Sequence, residues 1–192
     1  MDKKFQNYGF TLVETLVAIA ILSLSVMSAS MAVQNSLSTS YYARDEVVAF
    51  NLIQEAVEYI RNMRDSNGLA NISSVSSGGA GVNWLNGISF NASDPCYFGK
   101  YCTVDVSQTT LATCPTSGVA TSCPYLNQNS QSGLFGYTSG GSWIATKFKR
   151  TILISPVAGD ANEVYLTVTV SWMDNSNKNA NVSVQEWLFN IR

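Results

Sequence analysis

The chain has 192 residues, a formal net charge of −2 and only 12% charged residues, so its surface is expected to be neutral and polar, with no electrostatic footprint for nucleic acid. It contains no histidine, which excludes Ser-His-Asp and Cys-His catalytic arrangements and any histidine-ligated metal. Once the apolar amino-terminal stretch is set aside, the remainder suits one modest soluble domain.

Residues 1–9 form a short leader with Lys3 and Lys4 that ends in Gly9. From Phe10 the chain is apolar or small to about residue 33; at about 1.5 Å per helical residue this reaches about 36 Å, enough to cross a hydrocarbon core about 30 Å thick with some tilt. The two lysines predict an amino end held in the cytoplasm, with the rest sent outside. Glu14 is the exception, an ionisable group one turn into the apolar run. A carboxylate in lipid costs about a few kcal/mol even on the gentlest scales, so it needs a partner. A secretory signal peptide cut near Ser28-Ala29-Ser30 fits less well, because its apolar region usually spans about 7 to 15 residues and Glu14 would interrupt it.

The basic leader followed by Gly9-Phe10-Thr11-Leu12-Val13-Glu14 resembles the processing site of type IV prepilins and of type II secretion pseudopilins. The resemblance implies that a prepilin peptidase of the membrane cuts between Gly9 and Phe10 and methylates the new amino terminus. It further implies that Phe10 and Glu14 serve assembly, with Glu14 reaching the amine of another pilin subunit, and that the chain passes from the cytoplasmic membrane into an extracytoplasmic filament. The fold it implies is α+β and type IV pilin-like, a long N-terminal helix packed on a C-terminal antiparallel sheet, with a structural role, no cofactor and no enzymatic activity. Many major pilins carry a helix-bending proline in the membrane half; none occurs here between residues 10 and 67.

Beyond residue 33 polarity rises without a helix breaker before Gly68, so residues 34–67 are expected to continue the same helix. Ala49, Leu52, Ile53, Ala56, Ile60 and Met63 recur at helical spacing, with Asn51, Glu55, Glu58, Asn62 and Asp65 opposite, which predicts one core-facing stripe. Glu58 and Arg61 are spaced to pair along the surface, and Gly68 is the expected stop. Residues 49–65 also look like the second half of the helix in PilV-like minor pilins and related pseudopilins. That places a minor pilin first, a major pilin or pseudopilin next, and a single-span membrane protein displaying a binding domain as the rival of a different class.

Residues 68–192 are then the extracytoplasmic globular region. Its first part, 69–146, reads as an elaborated loop. Gly78-Gly79-Ala80-Gly81 is not a phosphate loop, lacking a preceding strand and a G-K-[ST] ending. Cys96, Cys102, Cys114 and Cys123 lie in the exported part and predict two disulfides. Three pairings are possible; proximity favours Cys96 with Cys102 and Cys114 with Cys123, each worth about 2 to 3 kcal/mol in the chain-entropy model. A zinc site is disfavoured without a C-x-x-C pair or histidine.

From Phe148 the period becomes two, and 147–155, 164–172 and 182–189 read as an antiparallel meander whose inner face is covered by the helical stripe. Lys147, Lys149 and Arg150 are expected on a solvated edge strand, with contact to DNA phosphates the less favoured use. The turn over residues 174–179 is rich in oxygen ligands but lacks the glycine and terminal glutamate of an EF-hand loop. Asp94, Asp105, Asp160, Glu163, Asp174 and Glu186 show no spacing that singles out a catalytic pair, and no surface ligand is legible.

Overall fold

A computed structural model of the chain describes residue 9, residues 11–174 and residues 177–190. Helix α1 spans Leu12–Ser76, and the chain divides after Ala43 into two compact units.

In the first unit, every described residue is solvent-exposed although the helix is mostly apolar up to about residue 33. Its hydroxyls bond to the helix's own backbone, Ser23 to the Ile19 carbonyl and Ser25 to the Ile21 carbonyl at 2.8 Å, and Ser30 to the Val26 carbonyl at 2.9 Å. No hydroxyl among these three therefore needs water, which suits a segment surrounded by lipid or by other helices.

In the second unit, beginning at Arg44, the helix acquires a buried stripe: Ala49, Leu52, Ile53, Ala56, Val57 and Ile60. These side chains join Ile152, Ile154, Val164, Leu166, Val168, Val170, Trp172 and Leu188 of a seven-stranded antiparallel sheet in one core. The fold is α+β, a long helix on a C-terminal antiparallel sheet. Strands β5 (Trp143–Val157), β6 (Asp160–Met173) and β7 (Asn179–Phe189) make the meander. From Val164 to Trp172 the even-numbered positions of β6 are buried while the odd ones between them are half-exposed, the alternation expected of a sheet covered on one face.

The region 69–146 differs from the expected loop. It contributes four strands, β1 (Tyr101–Asp105), β2 (Thr110–Thr113), β3 (Tyr125–Asn129) and β4 (Phe135–Gly136), and these extend the sheet in the order β2-β1-β5-β3-β4. They are short and rich in Thr, Asn and Cys, so period-two alternation never builds up within them. Strand β5 pairs with β1, β3 and β6 and is therefore central; Lys147, Lys149 and Arg150 do not lie on an edge.

The helix also runs past Gly68. A glycine inside a helix costs only about 1 kcal/mol relative to alanine, and neighbouring contacts offset it. The Asn67 side-chain amide donates to the carbonyls of Trp84 and Asn86 at 3.1 and 2.8 Å, and Asn71 Oδ1 accepts from the Val82 amide at 3.0 Å. The actual stop is Gly78, in the left-handed region at φ +80°. Its amide bonds the Val75 carbonyl and that of Gly79 bonds the Ser74 carbonyl, the paired closure of a Schellman motif.

Candidate functional site

The residues that carry the sequence motif lie at the start of α1. Thr11 is the residue before the helix: its carbonyl accepts from the Thr15 amide at 3.2 Å, and its hydroxyl accepts from the Glu14 amide at 3.2 Å. A side-chain oxygen capping the N3 amide satisfies one of the donors that a helix start leaves open. Thr11 thus fixes the first turn and with it the point where the Glu14 backbone leaves the cap. Sequence reasoning passed over Thr11, although Thr11-Leu12-Val13-Glu14 has the S/T-x-x-E spacing of a capping box. Glu14 is exposed, in the first turn of the helix, where a carboxylate also complements the helix dipole.

Gly9 is exposed, and a Cβ added there would meet nothing within 4 Å. The fold itself does not call for a glycine at this position. Phe10, Lys3 and Lys4 lie outside the described residues.

What holds the outer half of the helix is a set of charged contacts. Arg150, on the inward face of β5, is fully buried. Its guanidinium donates to the Leu52 carbonyl at 2.9 Å, to Glu55 Oε2 at 2.5 Å and to the Val104 carbonyl at 2.5 Å, tying α1, β5 and β1 together at one point. Arg61 reaches across to Glu186 on β7 at 2.5 Å and also pairs with Glu58 at 2.6 Å; hydrogen bonding to Glu186 pushes the Arg61 pKa upward. Lys147 pairs with Asp45 at 2.5 Å, and Lys149 donates to the Thr121 carbonyl at 2.8 Å while lying 4.9 Å from the Tyr125 ring centre. The three cations therefore make separate contacts within the chain, and with Arg150 buried and β5 paired on both sides the solvated-edge expectation gives way to a central strand. Parity carried the missing signal: Phe148, Arg150, Ile152 and Ile154 share one side of β5.

Cys96 and Cys102 are joined, with Cα atoms 5.1 Å apart, as are Cys114 and Cys123, with Cα atoms 4.6 Å apart. The first bridge is fully buried and fastens the irregular segment that carries Trp84, Leu85 and Ile88 to β1 within the core. The second closes the short helical segment between β2 and β3. Among the described residues no group of three or more acidic or cysteine side chains converges as a metal site.

Helix α1 contains, within Leu12–Ser76, a stretch long and apolar enough to cross a membrane. Comparison with curated proteins and with solved structures gave no match for the chain. Residues 4–30 match the prokaryotic N-terminal methylation motif. The match covers the leader from Lys4 onward, Gly9, the cap at Thr11, Glu14 and the first apolar turns, and with the apolar helix behind it supports a membrane-anchored protein of the type IV prepilin-like family.

Proposed function

We propose that the chain is a minor pilin, a structural subunit of a type IV pilus or related filament, cut after Gly9 by a prepilin peptidase and assembled through its amino-terminal helix. The observation that carries this reading is the contrast within α1. Residues 11–44 are exposed and nearly all apolar up to about residue 33, a pattern that only lipid or neighbouring helices can satisfy. The reading uses both environments in turn, the membrane before assembly and the filament core after it.

Open space around Gly9 supports the processing assignment. Since the fold tolerates a side chain there, a requirement for glycine would come from the peptidase, which must approach the backbone closely. Cleavage makes a cation at the Phe10 amine. In a medium of low dielectric an isolated ammonium and the isolated Glu14 carboxylate are each costly, and pairing them between subunits offsets both costs and fixes one axial stagger. Residues 1–9 are then the leader, 10–33 the membrane and filament-core segment, and 34 onward the extracytoplasmic part, with the amino end in the cytoplasm before cleavage.

The intact mass of the protein extracted from membranes tests this directly. Loss of residues 1–9 with one added methyl is the expected result. Retention of the leader, or its loss without a methyl, would overturn the assignment in favour of a single-span protein displaying an independent domain.

A further inference from the structure

The seven-stranded sheet ends differently on its two sides. Beyond β1 and β3 the outermost strands are β2, with four residues, and β4, with two; so short an edge offers little for another chain to pair with. On the other side the outermost strand is β7, eleven residues long, and among the described residues β6 is its only partner strand. Its register with β6 runs from Glu163 opposite Phe189 to Met173 opposite Asn179 without a shift, so no bulge bends it away. It contains no proline and no lysine, and its one charge, Glu186, is paired with Arg61 of α1 at 2.5 Å. The usual guards of an edge strand are therefore missing.

The Asn190 amide donates to the Asn162 carbonyl at 2.8 Å, and the Asp174 amide to the Lys178 carbonyl at 2.9 Å. Both bonds lie on the register of the β6–β7 ladder. By alternation the even-numbered residues of β7 turn their N–H and C=O groups toward β6, and the odd-numbered ones, from Asn179 to Phe189, turn theirs to the free edge. The core is also unfinished here. The even-numbered residues of β6 from Val164 to Trp172 are at most 3% exposed, whereas Ala180, Val182 and Val184 on the same face of β7 are only partly buried.

We propose that the free edge of β7 takes up an extended segment of a second protein as a further strand, antiparallel to β7 like every other pair in the sheet. Backbone N–H and C=O groups that recur every second residue, about 6.8 Å apart, are matched by another extended backbone; a sugar chain or a lipid has no such repeat. The incoming strand lays its inward side chains beside Val182 and Val184, so β-branched apolar residues at alternate positions suit it. The residues between them are polar, facing the outward row of Asn181, Ser183 and Gln185. A second copy of β7 is a poorer occupant. Antiparallel pairing of two β7 strands turns one α1 end for end against the other, and two chains anchored in one membrane by their amino-terminal segments cannot meet in that way.

The test uses the full chain in detergent and a defined probe, a soluble peptide of alternating threonine and valine with lysine at each end, about as long as β7. At saturating peptide, hydrogen exchange at the amides of Asn181, Ser183, Gln185 and Trp187 should slow about ten-fold or more, while Val182 and Val184, already bonded to β6, change little. The same peptide N-methylated on its threonines, whose N–H groups face β7 in this register, should bind about ten-fold more weakly; N-methylation of the valines should leave binding intact. Gln185→Pro removes one outward N–H without touching the ladder to β6 and should weaken binding by a similar factor. Both disulfides and the thermal midpoint are checked in that variant, so that lost binding is not lost folding. No slowing by the unmodified peptide, or equal binding of the two N-methylated peptides, would overturn the proposal. So would a concentration-dependent dimer of the peptide-free chain that Gln185→Pro dissolves, which would give the edge to a second copy. The mass measurement on the amino terminus is independent of each of these outcomes.

Discussion

The two ends of one helix meet opposite demands. Up to Ala43 the chain is apolar around much of its circumference and exposed at every described position; from Asp45 it buries a side chain every three or four residues against its own sheet. The second half is covered by its own chain, whereas no described residue covers the first, which on the proposed reading is completed by lipid and then by other subunits. Stability and assembly should therefore be separable by mutation, with each substitution moving one and sparing the other.

The largest expected effect on the self-sufficient half is at Arg150. Replacing it by alanine removes the donors for Glu55 and for the Leu52 and Val104 carbonyls and leaves a void in the core. Breaking a buried charge pair in this way costs about 3 to 5 kcal/mol; because Glu55 keeps some contact with water, the lower part of that range is expected. Denaturant unfolding of the globular region reads it. Arg150→Met, which fills the space without a charge, should cost less. Neither should alter the mass expected for cleavage after Gly9, and a failure of cleavage in well-expressed Arg150→Met would join the two halves that the comparison separates.

The paired replacement of Cys96 and Cys102 by serine comes next, at about 2 to 3 kcal/mol for so short a loop. Hydrogen exchange should rise most in the segment around Trp84, Leu85 and Ile88, and least in β6, whose ladder with β5 and β7 is independent of the bridge. Uniform loosening of the whole sheet would show that the bridge supports the global fold.

For the half completed by other molecules the probe is Glu14. Glu14→Gln keeps the cap at Thr11, which uses the backbone amide, and so should leave cleavage, helix start and globular stability unchanged. The ratio of filament-bound to membrane-bound protein should fall about ten-fold, equivalent to about 1.4 kcal/mol, and Glu14→Asp, one methylene shorter, should fall between. Equal incorporation of Glu14→Gln and wild type would remove the carboxylate from assembly.

The difference between the halves also decided what could be read in advance. The membrane segment, the stripe from Ala49 to Ile60 and the meander of β5 to β7 were legible because each repeats one period over many residues. The four strands of region 69–146 were not: β4 is two residues long and β2 four, too short for a period, and they form because β5 pairs with β1 and β3, which in turn pair with β2 and β4. Gly68 misled for the opposite reason, a local breaker overridden by the contacts of Asn67 and Asn71. Arg150 was legible in parity but masked by its chemistry, since an arginine directly after Lys149 and three residues after Lys147 suggests a wet surface. At the amino terminus Glu14 stood out as a charge in an apolar run and Gly9 through the resemblance to prepilins, while Thr11 needed the capping rule applied to residues 11–14.

The smallest effect expected is at Tyr137, and its sign distinguishes packing from polar contact in the core. The Tyr137 hydroxyl is buried with Arg150 and Thr103 as polar neighbours that favour its ionised form, and no well-formed hydrogen bond satisfies it. A buried hydroxyl without a partner has lost its water and gained nothing in return, so Tyr137→Phe should be neutral or stabilising by up to about 1 kcal/mol at neutral pH. Burial also pushes the Tyr137 phenol up from its ordinary value of 10.0, against the opposing pull of the Arg150 charge. A raised folded-state pKa means that the unfolded chain gives up its proton first as pH rises. The contribution is therefore intact below about pH 10 and is lost as pH climbs from there through the folded-state value. Tyr59, also raised by burial, acts in the same direction and remains in the variant. Thermal midpoints of wild type and Tyr137→Phe, measured from pH 8 to pH 11, should start nearly equal and then diverge, the wild type falling faster. Parallel curves would mean that the phenol ionises as readily in the folded protein as in the unfolded chain, and that the apparent burial of its hydroxyl is open to water.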